Sequence, residues 1–106
     1  TFTGITDGDF TAALAGKDVL VIPETENGNL APALSPAARA VIANFVAAGG
    51  GLVKHGHRTS DEDVLDAVFG FSISTATTST TTSSLTAAAA GTAFAGGPAT
   101  LPANNA

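Results

Sequence analysis

Cysteine, methionine, tryptophan and tyrosine are all absent from this 106-residue chain, and six phenylalanines supply its only large aromatic rings. Without cysteine there can be no disulfide, no thiol nucleophile and no thiolate metal site. Positive charge is scarce. Four Lys and Arg stand against nine Asp and Glu, a formal net charge of -5, which repels the phosphates of a nucleic acid or an anionic membrane surface. No apolar run approaches the roughly 20 residues that span a bilayer, and no basic stretch followed by an apolar one opens the chain as a signal peptide would. Nucleic acid and membrane insertion are therefore not expected, and no cofactor is implied. Thr rather than Met stands at position 1, as in a processed product or a segment of something longer.

What is present is a chain of single-domain length whose apolar residues are largely Ala and Gly, so a thin core is expected. Asp7-Gly-Asp-Phe-Thr-Ala-Ala-Leu-Ala-Gly16 reads as a helix capped by Asp7, with Phe10, Ala13 and Leu14 on one face and Gly16 as its stop. Asp18-Val-Leu-Val-Ile-Pro23 is a continuous apolar run of the kind found in a central parallel strand with helices on both faces. A polar loop is expected from Glu24 to Leu34. Ser35-Pro36 then gives a cap and a first-turn proline to a helix whose Ala38, Val41, Ile42, Phe45 and Val46 recur at helical spacing, ended by Gly49-Gly50-Gly51.

Leu52-Val-Lys-His55 predicts a second strand, and strand, helix, strand in this order makes a βαβ crossover, almost always right-handed. Ser60 precedes Asp61-Glu62-Asp63, which predicts a third helix with Ser60 as cap, Val64, Leu65, Val68 and Phe69 inward, and Gly70 as its end. From residue 72 to 84 all but Ile73 and Ala76 are Ser or Thr. That composition favours extended or irregular chain: an edge strand from Phe71 to Thr75 running into a solvated loop, or a run 72–84 that accepts a glycan. The tail from Leu85 to Ala106 reads as loop with one short element near Ala93-Phe94. The expected fold is α/β, a parallel sheet with flanking helices over residues 1–70, with 71–106 an edge strand plus a Thr/Ser/Ala-rich segment of the same domain.

Over residues 9–70 the order of pieces resembles the class I glutamine amidotransferase-like superfamily, a flavodoxin-like fold. The pieces are Asp18-Val-Leu-Val-Ile-Pro-Glu24, the helix from Pro36 to Ala48, and Gly49-Gly-Gly-Leu-Val-Lys-His-Gly-His57. The resemblance implies a tight turn at His55-Gly56-His57, where enzymes of the superfamily carry a nucleophilic Cys. Here Gly56 takes that position, so thiol chemistry is excluded on this alignment. Together with Phe69-Gly-Phe-Ser72 after the third helix, the pattern is most similar to non-catalytic members within large bacterial extracellular proteins, which implies an extracellular or cell-surface location. Such domains continue with further strands beyond Leu101-Pro102. An incomplete domain with an exposed strand edge is therefore expected, which favours self-assembly or pairing with neighbouring segments of a larger protein.

In open parallel sheets ligands bind beyond the carboxyl ends of the strands, which singles out Glu24 and Glu26 after the first strand and His55 and His57 after the second. If His55 and His57 stay extended, their period of two puts both rings on one side, where a carboxylate could complete a metal site. A turn at Gly56 would instead send them apart. Glu24 and Glu26 could pair as acid and base in a hydrolase, or simply be solvated. Asp7-Gly-Asp9 lacks the later ligands of a calcium loop. The triple glycine precedes a strand, whereas a phosphate loop follows one. The leading expectation is a non-enzymatic structural, assembly or ligand-binding module of a bacterial secreted or surface protein; the rival is a hydrolase or metal-dependent site using Glu24, His55 and His57.

Overall fold

A computed structural model describes residues 1–25, 28–56, 60–74, 83–92 and 95–101. The chain forms two compact units, Thr1–Thr75 and Ala76–Ala106. In the first, helix α1 (Asp7–Leu14) leads to strand β1 (Val19–Ile22). Helices α2 (Leu30–Ala33) and α3 (Pro36–Ala47) then cross to strand β2 (Gly51–Lys54), and α4 (Asp63–Phe69) follows. β1 and β2 pair in parallel, from Val19 opposite Gly51 to Ile22 opposite Lys54.

Local chemistry sets the helix ends. The cap of α1 is Thr6 rather than Asp7: the Thr6 hydroxyl accepts from the Asp9 N–H at 3.2 Å, while the Asp9 carboxylate accepts from the Thr6 N–H at 3.0 Å. This reciprocal pair satisfies two of the amides that a helix start leaves open. Ser35 caps α3 through the Ala38 N–H at 3.1 Å, with Pro36 in the first turn as expected. At its far end Gly49 takes φ +100°, and the Gly50 and Gly49 amides reach back to the carbonyls of Phe45 and Val46 at 3.0 Å each. That 6→1 and 5→2 pattern is a Schellman motif, which needs a left-handed residue where Gly49 stands.

The core lies between the helices and one face of the sheet. Leu20 and Ile22 of β1 are buried against Phe10 and Leu14 of α1, Ala38 and Ile42 of α3, and Val64 of α4. The opposite face is open: Val19, Val21 and Val53 are 52%, 54% and 44% exposed. Among the described residues β1 pairs only with β2, so the expectation of a central strand covered on both faces is corrected. Every helix that packs on the sheet uses the Leu20 and Ile22 side.

Three further expectations are revised. The segment from Glu24 to Leu34 is not all loop, because Asn29 caps the single turn α2 through the Ala31 N–H at 2.9 Å. Ser60 does not cap α4 with its side chain; it adopts φ +107°, and its carbonyl accepts from the Asp63 N–H at 3.2 Å. Phe71 to Ser74, expected to begin an edge strand, join no ladder among the described residues. The Ile73 N–H bonds to the Asp66 carboxylate at 3.1 Å and Phe71 stacks on Phe69 at 5.4 Å between centroids, which holds the segment beside α4.

In the second unit, β3 (Ser83–Ser84) pairs antiparallel with β4 (Thr100–Leu101), and a 3₁₀ turn covers Ala87–Ala89. The expected element at Ala93-Phe94, most of the 72–84 run and Thr75 lie outside the described residues.

Candidate functional site

The strands of a parallel sheet end together on one side, and here β1 runs into Pro23, Glu24 and Thr25 while β2 runs into His55 and Gly56. Glu24 and His55 both stand at these ends, as the sequence predicts. Both are exposed, and neither side chain makes a hydrogen bond among the described residues. Glu26 and His57 lie outside the described residues. No group of three His, Asp or Glu side chains gathers as a metal site among those described.

A different set meets at this end of the sheet. Lys54 is in register with Ile22, so its stem follows the covered face, and its ammonium reaches the Asp61 carboxylate at 2.9 Å. The two side chains are only 4% and 5% exposed. The same ammonium donates to the Pro23 carbonyl at 3.3 Å and to the His55 carbonyl. Thr25 donates its hydroxyl proton to the same Asp61 oxygen at 3.0 Å. The end of β1, the end of β2 and the approach to α4 are thus joined at one point. A second link lies nearby, where the Asn29 amide donates to the Asp63 carboxylate at 2.6 Å.

Gly56, the position where the resemblance implies a nucleophile, lies against Asp61: a Cβ placed there would stand 3.3 Å from the Asp61 Cβ, tighter than an ordinary van der Waals contact. Comparison of the chain with protein-family models, curated proteins and solved structures finds no match.

An ammonium has three protons, and those of Lys54 face three protein acceptors. The protein itself therefore engages its donors. What the arrangement does is fasten the strand ends to the loop before α4. Only part of the signal for it was present in the sequence. In Leu52-Val-Lys-His55 the period of two puts Lys54 on the side of Leu52, and a lysine turned toward the core requires a carboxylate; Asp61 is one of the next acidic residues along the chain.

Proposed function

We propose that this chain is a non-enzymatic assembly module of a bacterial secreted or cell-surface protein, built on an amidotransferase-like α/β scaffold. The observation that carries the reading is the uncovered sheet face of Val19, Val21 and Val53. Parallel sheets are ordinarily covered on both faces, and an apolar β-branched surface of this kind gains from removal from water. The engagement of Lys54 by Asp61 and two carbonyls, and glycine at the position where enzymes of the resembled superfamily carry a thiol, favour a scaffold over a catalyst. The extracellular setting rests on the resemblance of residues 9–70.

Native mass spectrometry combined with metal analysis tests this. The expected result is a population of oligomers without stoichiometric metal. A monomer holding one zinc ion per chain would overturn the reading, and would make the metal-dependent or hydrolytic alternative at Glu24, His55 and His57 the one to pursue.

A further inference from the structure

We propose that the outer edge of β1 accepts the Phe71–Ser74 segment of a second copy of this chain as an added strand, with an apolar side chain of that segment seated in the cavity beside the edge. This rests on the assembly reading and names one contact for it, at the strand edge bordering the open sheet face.

The edge dictates the chemistry of its occupant. Gly51 donates to the Asp18 carbonyl at 2.8 Å and His55 to the Ile22 carbonyl at 2.9 Å, so these backbone groups of β1 face β2. A strand alternates, and the N–H and C=O groups of Val19 and Val21 therefore face outward. Among the described residues they have no partner. Exposed edges of this kind are commonly blunted by Lys, by Pro or by a bulge; Lys17 and Pro23 flank β1 and confine the open stretch of edge to Val19 and Val21. Only another extended backbone presents donors and acceptors at the matching interval, which is the basis of β-strand addition.

Specificity in that mode comes from side-chain pockets, and one lies here. A cavity of about 140 Å³ is lined by Leu20, Val21 and Ile22 of β1 and, across from them, by Phe2, Ile5 and Leu30. No charged residue lines it. A cavity of about 150 Å³ holds a benzene ring, so this one suits a single phenyl or branched aliphatic group.

The same chain carries a segment of the complementary kind. Phe71 and Ile73 are 54% and 41% exposed, alternate with Ser72 and Ser74, and belong to no ladder among the described residues. In an extended conformation both apolar side chains fall on one face. The Ile73 amide is held by Asp66, which leaves the opposite backbone edge, that of Ser72 and Ser74, to meet a partner strand. No charged residue lines the cavity and residues 71–74 carry no charged side chain of their own; the Asp66 carboxylate beside Ile73 and the net charge of -5 oppose the contact, and salt screens that repulsion. In each molecule the segment is fastened beside α4 rather than on its own β1, so the contact joins unlike surfaces, the edge of one copy and the segment of another.

Sedimentation of the full chain, with variants of each half, tests the contact. Ile5→Lys alters the cavity side at a residue that is 42% exposed, and the double variant Phe71→Ser with Ile73→Ser alters the segment. Circular dichroism verifies that each is folded, and Ile73→Ser alone serves as a milder segment variant. The wild-type chain is expected to assemble with rising concentration, and either variant by itself to need about tenfold more protein or beyond, from the loss of one buried apolar side chain. An equimolar mixture of the two variants should recover dimers, because each keeps the half that the other lacks. Wild-type assembly that both variants leave unchanged, or a mixture that stays monomeric, overturns this contact while the assembly reading stands. A wild-type chain that is monomeric at every concentration overturns both.

Discussion

A lysine ammonium withdrawn from water must find acceptors for its protons, and the position of Lys54 beside Asp61, Pro23 and His55 meets that requirement within a few ångströms. Its partner is equally confined, so removal of the cation alone leaves the Asp61 carboxylate without its lysine in a place where water cannot fully compensate. Lys54→Met is expected to destabilise the first unit by about 3 kcal/mol, the scale for breaking a buried pair from one side. Lys54→Met combined with Asp61→Leu should recover much of that loss, since an apolar replacement of both partners is often neutral. Urea unfolding of the two single variants and the double variant gives the coupling directly. The opposite sign, a double variant weaker than the sum of the singles, would show that other groups around Asp61 depend on its charge.

Among the elements, α1 depends on a cap whose strength follows pH. Hydrogen bonds from the Thr6 hydroxyl and then the Thr6 amide hold the Asp9 carboxyl below its ordinary value. With the folded value depressed, the cap's contribution is complete above the unfolded value of about 3.9. It fades as pH falls through the folded value. The protection of the first-turn amides of α1, taken as exchange relative to the intrinsic rate at each pH, should therefore fall as the solution is acidified below that point, and in Asp9→Asn this pH-dependent change should vanish. The helices and strands that could be read from the sequence are those with a strong period or a clear stop. Ser35-Pro36 and Gly49-Gly50 bracket α3, Val19 to Ile22 is an unbroken β-branched and leucine run, and Gly70 closes α4. α2 was hidden because one turn containing Pro32 has no period; it is held by the Asn29 cap and by Arg39, which donates to the Ala31 carbonyl at 2.8 Å. Of the candidate site, the place was legible and the chemistry was not. Chain order locates the strand ends, but the meeting of Lys54 with Asp61 and Thr25 depends on a loop path that local residue preferences do not encode.

At the scale of the whole molecule, the small side chains of this composition leave little margin. Among the described residues Leu34, Ile42 and Val64 are the largest fully buried groups, and Ile42 belongs to the core cluster with Leu20 and Ile22 of β1. Ile42→Ala is expected to cost about 2–5 kcal/mol. Set against a total stability of about 5–15 kcal/mol for a chain of this size, that loss should lower the melting temperature markedly or leave the chain largely unfolded, as calorimetry would record. A shift within a degree or two would mean that the site collapses around the lost volume. The parallel pairing of β1 with β2 has a mechanical meaning as well. A pull that enters ahead of Val19 and leaves beyond Lys54 drags the two strands in opposite directions along their length, so all the ladder bonds carry the load together in shear instead of opening one after another like a zip. Lys54, bonded to Pro23 and Asp61 at the trailing end, acts as a rivet against that sliding.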